Sequence, residues 1–471
     1  MKKFNLLILG IVGVVSLIAC TPINTDSSIS GDDSISDNSD SSSEDPNGPL
    51  KNVDDLISRS NAQEHLSYLA GSEIGGRASG SADNLLACQY VADEFQQLGL
   101  TPYSEETGYF QPYQQEYTRI FSEYFSFEVT NTAKTATEKY RYAYDFSFFY
   151  ANFSSFGIVS SPRAFDDQAE LVSFSNTSVN YADKIVLVEN ITLTILGDLY
   201  NDGAKGAIVR DGSDPYPTLE YGQGDMFNNS NFLLLYSSGQ SYSRLTSNIA
   251  TGLNKVDASY EIDNASKTVN NVVGFLDVGA TSSIIVSAHI DHLGRFDVED
   301  DGYYAGALDN ASGIAGMLEL ARIYSENVDR LLKNVIFIAY NGEEAGLYGS
   351  FHYSRNMVGE KADTRASFNL DMIGGGSNDY ELEIIGNYGG LTSSINNKCQ
   401  EYGIENYIIA ENQPNSDHYW LGALRIVSVS FVHFDDRYYH TPNDTEDKIN
   451  YDIFVNQLAM IASLMLSSYN K

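Results

Sequence analysis

Basic side chains and cysteines are what this 471-residue chain is short of. Lysine and arginine together number 28 against 63 aspartates and glutamates, a formal net charge of −35. A surface that binds nucleic acid must neutralise phosphates, and here it would have to do so inside a repulsive field with no basic patch to offset it, which argues against such a partner. The three cysteines, Cys20, Cys88 and Cys399, make neither a disulfide framework nor a CxxC metal knuckle. Two buried thiols and a single Cys88–Cys399 bridge both remain open, and any metal must be held by histidine, aspartate and glutamate. No internal repeat is visible. What the chain does have is 42% hydrophobic residues, enough for real cores, in a length that accommodates one large domain or several average ones.

The N-terminus runs MKKFNLLILGIVGVVSLIAC. Lys2 and Lys3 precede a mostly apolar run that ends at Ala19, too short with these flanks for an ordinary spanning helix, and it reads as an export signal. Leu17-Ile18-Ala19-Cys20 resembles the bacterial lipoprotein box. That resemblance implies a lipidated Cys20 at the start of the mature protein and a cell-envelope location on the outer face of a membrane, touched only through the anchor; a secreted protein is the alternative. From residue 21 to about 50 the chain is rich in Ser, Asp and Asn, without Lys or Arg. Such a composition cannot bury enough surface to offset chain entropy and reads as a disordered tether.

Between Asn52 and Pro102 apolar residues recur at helical spacing: Ala62, Leu66 and Leu69, then Leu85, Cys88, Val91, Ala92, Phe95 and Leu98, with Gly99 as a C-cap. GGRASGS between them reads as a turn-rich joint. From about Tyr103 to Val256 the text changes to short runs of Tyr, Phe, Thr, Ser and Val. KIVLVEN (184 to 190) and GAIVR (206 to 210) read as strands around a short helical piece at Gly197 to Gly203. A strand pattern begins again at Asn270 to Phe275, and from there strands and helices alternate. Strands are expected at Ser283 to Ala288, Asn334 to Tyr340, Ala366 to Leu370, Leu382 to Ile385 and Ile426 to Val432. A helix after Asp309 carries Ile314, Met317, Leu318, Ala321 and Ile323. The pattern implies an α/β fold, a mixed, mainly parallel central sheet flanked by helices, with a β-rich module interposed.

In open α/β sheets ligands bind beyond the carboxyl ends of the strands. Between His289 and Asp371, candidate metal or base residues sit mostly just past apolar, strand-like runs. They are His289 and Asp291 in SIIVSAHIDHLG, Asp309 in GALDNASG, Glu343 and Glu344 in VIFIAYNGEEAGLYGS, and Asp371 in RASFNLDMIGG. Two dications about 3.5–4 Å apart need a carboxylate to bridge them and separate ligands on each side. Asp309 is the expected bridge; His289 and Asp371 would hold one ion, Glu344 and a second histidine from further along the other. Imidazole and carboxylate without thiolate fit Zn2+ first, with Co2+ or Mn2+ as substitutes. Of the adjacent glutamates, Glu344 is read as ligand and Glu343 as the base that takes a proton from the activated water and passes it on. Asp291 is the expected partner that orients the His289 imidazole.

HIDH, GALDNASG, YNGEEAGLYGS and NLDMIG, followed by SDHYWL and YYHTPNDT, together resemble the co-catalytic di-zinc aminopeptidase family, which also contains glutamate carboxypeptidase-like enzymes. The resemblance covers most of Asn52 to Pro102 and Asn270 to Ser468. It implies His289, Asp309, Glu344, Asp371 and His440 as ligands of two Zn2+ per chain, with Asp291 and Glu343 catalytic. Tyr439 matches a position that in some relatives steadies the oxyanion and in others is aliphatic. His440 lies in a polar loop before Thr441-Pro442 and Asp444, whereas His433 sits in an apolar run and is expected to be packed. His418 is expected beside the ligands, and His65, His292 and His352 in structural roles. ADKIVLVEN followed by NDGAKGAIVRDG resembles the protease-associated domain inserted in many members of this family.

The expected organisation is therefore a signal over 1–20, a tether over 21–50, a catalytic domain in two pieces (51–130 and 262–471) and a protease-associated insertion at 131–261. The expected function is that of an exported exopeptidase acting on peptides, an aminopeptidase first. A glutaminyl cyclase-like transferase, or a carboxypeptidase or dipeptidase on the same scaffold, is the alternative; in another class, a catalytically silent binding lipoprotein. Side-chain preference and oligomeric state carry no signature.

Overall fold

Ser58 and Ser81 each accept a hydrogen bond from the backbone N–H three residues ahead, Asn61 at 3.2 Å and Asn84 at 3.0 Å. Helices α1 (Arg59–Leu69) and α2 (Ala82–Gln97) start at these caps. α1 buries Ala62, Leu66 and Leu69, and α2 buries Ala87, Cys88, Val91, Ala92 and Phe95. Leu85, expected on the inner face, is 53% exposed. The inward place goes to Asn84 instead, which donates to the Arg77 carbonyl at 3.0 Å and exchanges amide hydrogen bonds with Asn341 at 2.8 and 3.2 Å. A satisfied polar pair has displaced a leucine from the core.

The computed structural model describes residues 48–471, apart from 121–125, 143–144, 149, 154–156, 163, 176–178, 212–226, 229–231, 298–301, 360, 378–380, 435–436 and 471. The signal and all but the end of the tether expected from the sequence lie outside the described residues. Among the described residues no helix is long and apolar enough to cross a membrane. Cys88 and Cys399 are both free and buried, which removes the possible bridge.

The β-rich stretch opens with β1 (Phe110–Ile120) and β2 (Ser126–Asn131). It continues through β3 (Ala164–Ser173), β4 (Lys184–Val188), α3 (Leu193–Asn201), β5 (Gly206–Arg210), β6 (Leu233–Ser237) and α4 (Gly239–Thr251), and returns along β7 (Leu253–Leu276). β3 to β6 are parallel neighbours in that order. Side-chain alternation sorts Ile185, Leu187 and Ile208 into one core, and Val186, Val188, Ala207 and Val209 into a second with Leu196 and Leu199 of α3. The 24-residue β7 extends far upstream of the Asn270 start read from the sequence. It pairs antiparallel with β2 and β3 in its first part and with β1 over 262–272, so it crosses the 261/262 boundary without a break.

The remaining elements are β8 (Ser283–His289), α5 (Ser312–Glu326), β9 (Asn334–Tyr340), α6 (Tyr348–Arg355), β10 (Thr364–Asp371), β11 (Leu382–Asn387), α7 (Thr392–Glu401), β12 (Tyr407–Glu411), α8 (His418–Ala423), β13 (Val427–His433) and α9 (Tyr451–Tyr469). They build a sheet in the order β12–β11–β13–β10–β8–β9–β7. β9, β8, β10 and β13 are parallel, while β7 and β11 run against their neighbours β9 and β13. The sheet is mixed and mainly parallel, as expected. Ile284, Val286 and Ala288 with Val335, Phe337 and Ala339 face a core shared with residues of α1, α2, α5 and α9. Ile285, Ile336, Ile338 and Tyr340 face the opposite way, onto Tyr353 of α6 and Leu421 of α8. β12 went unread because a half-exposed edge strand shows no continuous apolar run.

Phe337 is fully buried, with ring centroids of Phe95 and Tyr324 each 6.3 Å away. Phe337→Ala is expected to lower stability by about 3–5 kcal/mol, read from urea unfolding; a loss under ~1 kcal/mol would mean that the helices close the cavity.

Candidate metal centre

The four parallel strands end at one edge of the sheet. His289, the last residue of β8, pairs with Tyr340, the last of β9, and Asp371 at the end of β10 pairs with Val432 of β13. The loops that leave these ends carry Asp291, Glu343, Glu344 and His440. The turn before α5 carries Asp309.

Asp309 stands between two imidazoles. Its Oδ1 is 3.3 Å from His289 Nε2 and its Oδ2 is 3.3 Å from His440 Nε2. His289 Nε2 is also 3.3 Å from Asp371 Oδ1, and His440 Nε2 is 3.0 Å from Glu344 Oε2. Zinc bonds of about 2.0–2.1 Å in a tetrahedron place ligand atoms about 3.3–3.4 Å apart. Three of the four separations match that edge and the fourth is slightly shorter, so the residues fit zinc. With His292 they form two groups able to hold a metal ion, His292, Asp309, Glu344 and His440 in one and His289, Asp309 and Asp371 in the other, which share Asp309.

The supporting contacts differ from the sequence reading at three places. Asp291 does not turn its carboxylate to His289: the imidazole Nδ1 lies 3.2 Å from the Asp291 carbonyl oxygen and 4.0 Å from Oδ1. The two carboxylate oxygens instead accept the backbone N–H groups of Glu343 at 3.1 Å and Glu344 at 3.3 Å, holding the turn that presents both glutamates. His292, read as structural, is part of the centre, its Nδ1 2.7 Å from Glu344 Oε1 and 3.7 Å from Asp309 Oδ2. The second histidine of HIDH was the available signal. His418 is buried at the start of α8, but the contact to a ligand comes from its neighbour: Ser416 donates to Asp371 Oδ2 at 2.6 Å and accepts from Asn369 at 2.8 Å. His433 packs against Gln457, with 3.0 Å between the amide and ring nitrogens.

Asp444 was not singled out from the sequence as a functional residue. It is buried, and its two oxygens accept the backbone N–H groups of Leu308 at 2.8 Å and Asp309 at 3.0 Å. Gly306 at the head of this turn has φ of 57°, and a Cβ there would lie 2.3 Å from the Asp309 carbonyl and 2.4 Å from the His292 ring. Only glycine fits so close to the centre. Tyr439 stacks on His440, centroids 3.8 Å apart and planes 17° from parallel.

Burial works against every charge here, and neighbours decide the outcome. Burial alone would raise the Asp309 and Glu344 carboxyls. Imidazole contacts reverse this, holding Asp309 well below its usual range and Glu344 at about 2. Glu343 is pushed well above its usual range by burial and by Glu344, Asp371 and Asp417, against the pull of His289. Two adjacent glutamates thus differ in basicity because one faces imidazoles more closely than the other. Burial and the carboxylates of Asp309, Glu344, Glu343 and Asp371 raise the Tyr439 phenol, so it stays protonated.

Fold and centre together define a mixed α/β protein whose candidate metal ligands gather at the carboxyl edge of a mainly parallel sheet. Residues 271–465 match the sequence model of Peptidase family M28. Aminopeptidase YwaD of Bacillus subtilis (strain 168) is 28% identical over 199 residues, 39% of this chain and 41% of the relative. The chain therefore spans less than half the length of that curated relative. Among solved structures, an aminopeptidase from Aneurinibacillus sp. strain AM-1 superposes with a TM-score of 0.54 at 22% identity, covering 88% of this chain and 95% of the other. A zinc aminopeptidase from Bacillus subtilis gives 0.59 at 19% identity, covering 88% and 96%. These likenesses are of fold.

Asp444→Asn would turn an amide N–H toward one of the two backbone donors it now satisfies. Zinc affinity is expected to fall about ten- to a hundredfold, measured by competition with a chromophoric chelator. Unchanged affinity would show that the turn bearing Asp309 keeps its shape without this clamp.

Proposed function

We propose that the protein is an exported zinc exopeptidase that removes N-terminal residues from peptides. The observation that carries the reading is Asp309, whose two oxygens each lie 3.3 Å from the imidazole of a different ligand group. His289 and Asp371 would hold one Zn2+, Glu344 and His440 a second, with Asp309 between them. Bound there, the ions would supply Lewis-acid polarisation of the scissile carbonyl and a lowered pKa for the attacking water. Glu343, more basic than its neighbour and presented on the turn that Asp291 holds, takes the proton of that water and delivers it to the leaving amine. The Tyr439 phenol, kept protonated and fixed by its stack on His440, donates to the oxyanion as it develops. The relatives named aminopeptidases support the same reaction class.

The choice of the N-terminus over the C-terminus follows from charge. Carboxylates outnumber the imidazoles of His289, His292 and His440 around the centre: Asp291, Asp309, Glu343, Glu344, Asp371 and Asp417 all act within it. The one fully buried guanidinium nearby, Arg77, donates to backbone carbonyls. Such a field attracts a peptide's ammonium end and repels its carboxylate end. Export with a lipid anchor on Cys20, the tether and the protease-associated character of the insertion at 131–261 belong to the same proposal and are supported by the sequence patterns alone.

The test compares one hydrophobic peptide in three forms, free, N-acetylated and C-amidated, with and without chelator. Stepwise loss of N-terminal residues from the free and amidated forms, blocked by acetylation and by chelator, is expected. Loss from the C-terminus, or pyroglutamate formation from a Gln-initiated peptide without hydrolysis, would replace the aminopeptidase reading. Glu343→Gln should retain bound zinc while kcat falls by about 10²–10⁴-fold, and near-normal turnover would remove Glu343 from the proton path.

A further inference from the structure

Arg77 is among the largest fully buried side chains of the protein, 1% exposed, in a segment that reads from the sequence as a mere joint. Its guanidinium makes its hydrogen bonds to carbonyl oxygens rather than to a carboxylate. Nε donates to Ile290 at 3.0 Å, Nη1 to Leu69 at 2.6 Å and to Ala305 at 2.8 Å, and Nη2 to Gly306 at 2.9 Å. Ile290 lies between His289 and Asp291. Ala305 and Gly306 lead into the turn that carries Asp309. One side chain from the N-terminal segment therefore joins the two loops on which the bridging carboxylate meets its imidazole.

The backbone around Arg77 is fitted to the same end. Its carbonyl accepts from the His292 N–H at 3.3 Å, and Gly294 N–H donates to the Gly76 carbonyl at 2.9 Å. Gly76 has φ of 76°, and a Cβ there would lie 2.5 Å from the Tyr304 carbonyl oxygen. Arg77 itself has φ of 56°, a region seldom used by side-chain-bearing residues. The carboxylates that act on its cation are Asp309, Asp444, Asp291 and Glu344, all belonging to the centre or its clamps. Burial brings the guanidinium down only to about 10, so it remains a cation at neutral pH.

We infer that Arg77 is a positioning residue of the metal centre, fastening the His289–Asp291 loop to the Asp309 turn and offsetting carboxylate repulsion, so that the ligands stand in place before metal arrives. The inference rests on the metallopeptidase reading above. Lysine at this place would keep the charge but has three donors on a single nitrogen and cannot span carbonyls that lie around a planar fork. Methionine would keep neither charge nor donors.

The experiment measures zinc affinity by chelator competition, and the visible spectrum after Co2+ substitution, for the wild-type protein, R77K and R77M. R77K is expected to bind zinc about ten- to a hundredfold more weakly, with a shifted Co2+ band, and R77M more weakly still. A role confined to folding would lower thermal stability and leave affinity and spectrum unchanged in the folded protein. Wild-type protein that takes up no zinc would sink the metallopeptidase reading itself, whereas zinc-binding wild type matched within about twofold by R77K would overturn the role of Arg77 alone. Should neither variant fold, hydrogen exchange on the wild type decides: the amides of His292, Leu308 and Asp309 are expected to be protected equally with and without zinc. Protection gained only on adding zinc would overturn the inference.

Discussion

Mutual repulsion of carboxylates is the constraint around which this centre is built. Asp291, Asp309, Glu343, Glu344, Asp371, Asp417 and Asp444 act on one another or on the same imidazoles at the carboxyl edge of one sheet. Left uncompensated, such a cluster would protonate or push its loops apart. Compensation comes from the imidazoles of His289, His292 and His440, from the Arg77 guanidinium and, in the proposed reading, from bound zinc. In the proposed reading, the same repulsion favours a peptide's ammonium end over its carboxylate end.

Around the ligands lies a set of contacts that act on backbone as much as on side chains. Asp291 caps the N–H groups of Glu343 and Glu344, Asp444 caps those of Leu308 and Asp309, and Arg77 gathers the carbonyls of Ile290, Ala305 and Gly306. Ser416 acts on a side chain instead, donating to the Asp371 carboxylate. A loop held at its N–H groups or carbonyls has little freedom to swing its side chain, so these buried polar residues constrain the spacing of the candidate ligands. The hydrophobic layers do the coarser work. They keep β8, β9, β10 and β13 in register, and the polar clamps then set the last ångström.

Much of this arrangement could be read before any coordinates. The strands that bear His289, Glu343–Glu344 and Asp371 are fully buried parallel strands, which leave continuous apolar runs in the text, and the helix after Asp309 has a clear inner stripe. β12 and most of β7 left no such mark, because an edge strand and a long polar strand are held by pairing with distant chain rather than by a buried face. Leu85 misled for the opposite reason: its spacing was right for the core, but the Asn84–Asn341 pair took the place.

Sequence by itself determined the chemistry on offer: histidines and carboxylates as candidate metal ligands, His440 rather than His433 in a polar loop, and a mainly parallel sheet that would bring strand ends together. Those conclusions rest on residue type and local periodicity, which the chain displays in order. Only the tertiary structure decided what each supporting group touches. That Asp291 holds a turn rather than a ring, that His292 reaches Glu344, and that Arg77 ties two loops more than 200 residues away are facts of direction and distance. They depend on where rotamers point once the layers have packed, and no spacing along a chain encodes that.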